Sequence, residues 1–236
     1  MRVVAIDGPA GAGKSTVGRA LARRLGWIYV DTGAMYRAVT LRAMREGLDL
    51  EGDGDDLAEE LGRVARESRI ELREGPSGQR VMLDDKDVTD AIRVPDLTRL
   101  VRFVARCGRA RAEMVKKQRA LAQSGGIVME GRDIGTVVVP GAVAKFYLDA
   151  SPGERARRRA TDLERGGIEV DRTSLEQEIV SRDRSDRERA DGPLKVADDA
   201  KVIDTTGMTF DDVVGRLEAI TRERLGDTTP APGGGG

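Results

Sequence analysis

The stretch Gly8-Pro9-Ala10-Gly11-Ala12-Gly13-Lys14-Ser15-Thr16 satisfies the pattern G-x-x-x-x-G-K-[ST] at every defined position. Its chemistry is anion binding. Glycines let successive backbone N–H groups turn inward around a phosphate, and a following helix N-terminus adds partial positive charge. Lys14 is placed to reach β- and γ-phosphates, and the Ser15 hydroxyl to hold Mg²⁺. The pattern needs a strand before it and a helix after it. Val3-Val4-Ala5-Ile6 is a short apolar, β-branched run, and Val17 to Leu25 repeats apolar residues at helical spacing before Gly26.

Arginines supply the second set of candidate groups. Arg37 lies one helical turn beyond Asp31-Thr32-Gly33, and Arg132 directly follows an apolar run. Arg182, Asp186 and Arg189 stand at i, i+4 and i+7, which puts them on one helix face. Such a stripe can grip a phosphate with its guanidinium forks and take a ribose hydroxyl on the aspartate. The same spacing also suits a solvated helix laced with ion pairs. Arg155, Arg157, Arg158 and Arg159 pose the same alternative, a charged surface or a lid that closes on a transferring phosphate. Taken singly, Asp133 reads as a turn aspartate and Arg111 as a surface arginine, and nothing in the sequence joins them; only as a pair would they suit the amine edge and the O2/N3 edge of cytosine.

Composition limits the chemistry available. The 236 residues carry a formal net charge of −1 although 34% of them are charged, so basic residues act locally rather than as a field for nucleic acid or membrane. There is no histidine, which removes imidazole catalysis and ligation, and the single Cys107 removes a disulfide framework or a cysteine-rich zinc site. Aromatic residues are 3% of the chain, leaving few platforms for stacking single-stranded bases. No apolar run approaches a membrane span, and the N-terminus opens straight onto a strand. A soluble, cytoplasmic setting is the expectation.

The positioning elements follow from periodicity. Trp27–Val30, Ile127–Glu130, Ala144–Asp149 and Lys201–Asp204 read as further buried strands. Helices are expected from Ala34 to Glu46, from an Asp53 or Asp55 cap to Glu67, from Pro95 to Arg106, and from Arg109 to Gln123 after a break at Gly108. Three more are expected over 152–165 with Ser151 as cap and Gly166-Gly167 as stop, from Thr173 or Ser174 to Arg189, and from a Thr209 cap to Leu225. Residues 69–73 and 80–84 alternate around the turn cluster Gly75-Pro76-Ser77-Gly78, as a half-solvated hairpin does. Five apolar strands alternating with helices predict an α/β fold, a parallel five-stranded sheet covered on both faces, with ligands beyond the carboxyl ends of its strands. The alternating region marks 48–94 as a small inserted subdomain between core segments 1–47 and 95–225, and the tail 226–236 has the composition of disorder.

The phosphate loop, Asp31-Thr32-Gly33-Ala34-Met35-Tyr36-Arg37, Gly131-Arg132-Asp133-Ile134-Gly135-Thr136, Phe146 to Ser151, and Arg182 to Arg189 with Pro193-Leu194 together resemble the bacterial cytidylate kinases, a family of nucleoside monophosphate kinases. The likeness spans almost the whole chain. It implies a P-loop nucleoside-triphosphate-hydrolase-like fold with a monophosphate-binding insert and a lid over about 152–190. It implies transfer of the γ-phosphate of ATP to CMP or dCMP with Mg²⁺; a monomer without nucleic-acid or membrane partners is the accompanying expectation. Carried over residue by residue, Thr32, Arg37, Arg132, Arg182 and Arg189 would hold the acceptor phosphate, Asp186 the ribose, Arg111 and Asp133 the base, and Arg158 would act from the lid. Arg102 departs from the family, which usually has serine there beside the base. Two rival readings are a different acceptor on the same fold (UMP, a nucleoside, a small metabolite such as shikimate) and a nucleotide-dependent switch.

Overall fold

The computed structural model describes residues 1–52, 54–75, 78–165, 167 and 170–227, with backbone alone at 95. In chain order the elements are β1 (Val3–Asp7), α1 (Lys14–Leu25), β2 (Ile28–Asp31), α2 (Thr32–Arg45), α3 (Asp55–Glu67), β3 (Ile70–Gly75), β4 (Gly78–Leu83), β5 (Lys86–Asp87), α4 (Pro95–Arg106), α5 (Gly108–Ala122), β6 (Ile127–Gly131), β7 (Ala144–Asp149), α6 (Pro152–Arg165), α7 (Arg172–Glu188), β8 (Lys201–Asp204) and α8 (Phe210–Leu225). A short 3₁₀ turn covers Ala91–Arg93, and a π-type turn covers Ile134–Val138. The chain divides into two compact units, Met1–Tyr29 with Ser124–Gly236, and Val30–Gln123.

The first unit is organised by a five-stranded sheet in the order β2-β6-β1-β7-β8. β1 runs parallel to both its neighbours, pairing Asp7 with Gly131 of β6 and with Tyr147 of β7, and β8 continues the parallel run beside β7. Every residue of β1 is buried, which is why it reads as an unbroken apolar run rather than an alternation. Val4, Ile6, Val128, Phe146 and Leu148 form one core with Val17 and Leu21 of α1 and Val213, Val214 and Leu217 of α8. Each large aliphatic or aromatic side chain fully removed from water there contributes about 1.5–3 kcal/mol. A separate small core of Ala156, Ala160, Leu175 and Ile179 joins α6 to α7.

The second unit holds an antiparallel hairpin, β3 with β4, in register from Ile70↔Leu83 to Gly75↔Gly78, and β5 adds a third short strand. Val81 and Leu83 bury one face of the hairpin with Ala34 and Ala38 of α2 and with Ile92, which explains the sequence alternation. Leu61, Val64 and Ala65 of α3 and Ala110 and Met114 of α5 are also buried.

Several helix ends differ from the sequence reading. α2 begins at Thr32 because the Asp31 carboxylate accepts from Ala34 N at 2.8 Å and so caps it. The break between α4 and α5 falls on Cys107, extended at φ −69 and ψ 110, and Gly108 opens the next helix. α7 begins at Arg172, capped by Asp171 rather than by Thr173 or Ser174. It also stops before Arg189, whose backbone is extended, because Leu194 N donates to Asp186 O at 2.7 Å and turns the chain back. α3 starts at Asp55 behind Gly54. The expected Asp53 cap, the Pro76-Ser77 turn, the Gly166 stop and tail residues 228–236 lie outside the described residues. Among those described, no helix is long and apolar enough to cross a membrane.

Candidate active site

The phosphate loop joins β1 to α1 at the carboxyl end of the sheet. Only glycine fits at its entrance: Gly8 has φ +147, and a Cβ there would lie 2.0 Å from the Leu148 carbonyl oxygen. Lys14 is 7% exposed, and its ammonium donates to Pro9 O at 2.7 Å, so the loop folds over its own lysine. Burial, with Arg132 next in effect, pushes the Lys14 pKa down to about 7, against the pull of Glu130 and Asp7. Arg182 presses in the same direction as Arg132. The loop is therefore a nest whose cations repel one another.

Ser15 donates its hydroxyl proton to Glu130 Oε1 at 2.6 Å, and the buried Tyr29 hydroxyl donates to the same oxygen at 2.5 Å. A hydroxyl whose proton is taken by a carboxylate turns its lone pairs outward. The oxygen donors Ser15 and Glu130 thus suit a hard cation such as Mg²⁺, which keeps most of its shell as water and phosphate oxygens. No group of three or more carboxylate or cysteine side chains gathers as a protein-only metal cage among the described residues.

Asp7, the last residue of β1, was not among the sequence candidates. Its two carboxylate oxygens accept from Ile134 N and Gly135 N, each at 2.8 Å. It thereby fixes the π-type turn that follows Arg132 and Asp133. Burial raises its pKa to about 6 although both backbone donors, and Lys14, pull it down; Asp133 adds to the rise.

The arginine stripe of α7 faces this region rather than solvent. Arg132 Nε donates to Asp186 Oδ2 at 2.9 Å, and Arg132 NH1 to the Gly131 carbonyl at 3.3 Å. Burial opposes the Arg132 charge, and Asp186, Glu130 and Asp183 together more than offset it. Burial likewise works against the Asp186 carboxylate, but Arg132 and Arg182 hold its pKa below the usual range. Arg189, though past the helix end, is buried and lies 3.6 Å from Asp133 Oδ1, with its Nε donating to Gly192 O. Arg158 donates to Glu154 at 2.8 Å and to the hydroxyl and carbonyl of Thr205 at 3.0 and 2.9 Å. A Cβ on Gly13 would lie 3.7 Å from Arg158 NH1, so this arginine borders the loop. Of its neighbours, Arg157 and Arg159 are exposed and Arg155 is buried.

Thr32, Arg37 and Arg111 belong to the second unit. Thr32 is buried at the start of α2. Arg37 donates to Asp31 Oδ2 at 3.1 Å, while its Nε is buried without an acceptor. Arg111, 4% exposed, donates from NH1 to the Tyr36 hydroxyl at 3.3 Å. Arg102 is exposed, its guanidinium 4.8 Å from the ring centroid of Phe103.

A parallel sheet with a glycine loop and buried lysine between its first strand and helix defines a P-loop nucleoside-triphosphate-binding protein. The solved structure of an uncharacterized protein from Eubacterium ventriosum shares the fold, with a TM-score of 0.52 at 12% identity over 94% of this chain and 98% of that one. The family model for cytidylate kinase matches residues 4–223, and the chain belongs to that family. It is 49% identical over 222 residues to the cytidylate kinase of Exiguobacterium sibiricum, covering 94% of this chain and 97% of the relative. It is also 50% identical over 217 residues to that of Pelotomaculum thermopropionicum, covering 92% and 94%.

Proposed function

We propose that the protein transfers the γ-phosphate of ATP to CMP or dCMP, giving ADP and CDP or dCDP. The observation that carries this is the convergence of cations on the phosphate loop: burial, then Arg132 and Arg182, press the pKa of the buried Lys14 down, and an anion bound among them would relieve that. The family relationship supports the same reading. Gly8 to Thr16 bind the donor phosphates, with Lys14 on the transferred group. Mg²⁺, held through Ser15 and its partner Glu130, would supply charge neutralisation on the donor phosphates. Thr32, Arg37, Arg132, Arg182 and Arg189 take the acceptor phosphate, and the unaccepted Arg37 Nε is a donor suited to an anion. Asp186 takes the ribose, and Arg111 with Asp133 reads cytosine. Arg158 acts from the lid.

Phosphoryl transfer needs positioning and charge stabilisation rather than covalent help, so a site without histidine is sufficient. In this reading 48–94 is the monophosphate-binding insert and about 152–190 the lid, and their closure keeps water from the donor. The protein works as a cytoplasmic monomer with no nucleic acid or membrane partner.

A coupled assay with ATP and a panel of CMP, dCMP, UMP and AMP tests this. CDP and dCDP should form fastest. Equal rates on CMP and UMP would remove Arg111 and Asp133 as base readers, and ATP hydrolysis without CDP would favour a switch.

A further inference from the structure

Arg155 lies on the first turn of α6, in a run of arginines that sequence alone cannot rank. It is 3% exposed, and its guanidinium reaches three separate parts of the first unit. Nε donates to the Ala150 carbonyl at 2.9 Å, at the end of β7. NH1 donates to the Ala10 carbonyl, in the phosphate loop, at 3.2 Å. The same NH1 lies 2.6 Å from Asp183 Oδ2 on α7, and both side chains are 4% exposed. The backbone closes on the loop as well: a Cβ on Gly11, where φ is +78, would stand 3.0 Å from Arg155 Cβ and 3.1 Å from its carbonyl oxygen. Glycine at 11 is what lets the root of α6 sit against the loop.

We propose that Arg155, with Asp183 as its counter-ion, is a positioning residue that fixes the phosphate loop relative to α7, and so sets the spacing between the donor phosphates and the arginines that receive the acceptor. Asp183 neighbours Arg182 and precedes Asp186 by less than one turn, so a shift of Asp183 carries both. A planar fork suits the task because one rigid group satisfies acceptors from a strand end, a loop and a helix. The buried pair also divides the lid. Its root is bolted to the loop, and α6 and α7 are joined to each other by their own small core. The α6 arginines accordingly do different work, with Arg155 bracing the loop and Arg158 bordering it.

This deepens the kinase reading and rests on it, so the test needs arms that separate the two. The double variant Arg155→Met/Asp183→Leu replaces a buried ion pair by apolar volume, an exchange that folds commonly tolerate. Arg155→Lys keeps the charge opposite Asp183 but lacks the fork that spans Ala10 and Ala150. Both variants should retain a cooperative melting transition. In both, kcat for CMP phosphorylation should fall by roughly 10- to 100-fold, and ATP hydrolysed per CDP formed should rise. The affinity for ADP alone, measured by calorimetry, should weaken by about tenfold. The ADP arm needs no acceptor: a wild-type protein that makes no CDP would sink the kinase reading, while ADP affinity still judges the brace. A folded double variant with wild-type kcat, coupling ratio and ADP affinity overturns the proposal. If the double variant does not fold, the same result in Arg155→Lys overturns it.

Discussion

Replacing Asp7 by asparagine tests whether one buried carboxylate links the phosphate loop to the acceptor-side turn. Its folded pKa of about 6 lies above the ordinary 3.8 because burial disfavours the charge. The unfolded chain therefore ionises this group at lower pH than the fold does. Between about pH 4 and 6 the folded state holds the extra proton, so the stability contributed by this group is complete below the unfolded value and is lost as pH rises through about 6. At 1.36 kcal/mol per unit, a rise of about two units is worth on the order of 3 kcal/mol. Asparagine cannot ionise, so the variant lacks that loss. It keeps one acceptor for Ile134 N or Gly135 N and turns an amide N–H₂ toward the other, a penalty that does not change with pH.

The assay is urea unfolding of both proteins at half-unit steps from pH 4.5 to 8. All other carboxylates titrate in both, so the difference between the two curves isolates Asp7. The wild type should lose about 2 kcal/mol relative to the variant across this window, the remainder of the loss falling below pH 4.5. Activity should follow the same logic. A protonated Asp7 accepts more weakly from the two backbone donors, above all at its hydroxyl oxygen, so the turn carrying Arg132 and Asp133 loosens. Asp133 and Lys14, the charges nearest it, shift the midpoint but do not remove it. The Asp7→Asn enzyme at pH 8 should match the low kcat/KM for CMP that the wild type shows on its acid limb. Parallel stability profiles in the two proteins would refute the coupling.

Two further outcomes are expected. Tyr29→Phe removes a buried hydroxyl donor from Glu130 while keeping the ring, and should cost about 1.5–3 kcal/mol of stability in urea titration; an unchanged midpoint would show that Ser15 alone satisfies that oxygen. Binding of ADP places anionic phosphate beside a lysine depressed to about 7. The lysine should then take up a proton, seen near pH 7.5 as a binding enthalpy that varies with the ionisation enthalpy of the buffer, and a buffer-independent enthalpy would contradict this.

The donor loop was legible because its spacing and its flanking strand and helix are local, and local order survives in one dimension. The strands were legible because a sheet buried on both faces writes continuous apolar runs. The partners of the site were not. Asp7 looks like the last residue of a strand. Only the parallel register, Asp7 beside Gly131, brings its carboxylate under Ile134 and Gly135. Arg155 and Arg158 are both arginines on one short helix, and three residues of phase decide which is buried. The i, i+7 stripe placed Arg189 on a helix that stops one residue earlier, because the turn-back at Leu194 is a tertiary event. Its side chain still comes within 3.6 Å of Asp133, a contact that the stripe did not foretell.

The absence of histidine gives these pieces a common consequence. The guanidinium groups that crowd the first unit keep their charge across the physiological range. Two groups with pKa values near neutrality, Asp7 at about 6 and Lys14 at about 7, stand at the entrance and the exit of the same glycine loop. Both are displaced by burial, Lys14 within the phosphate loop and Asp7 against the turn behind Arg132 and Asp133. If nucleotide binds as proposed, phosphate would restore the lysine charge, which pulls the Asp7 pKa down, while its own anionic charge pushes that pKa up.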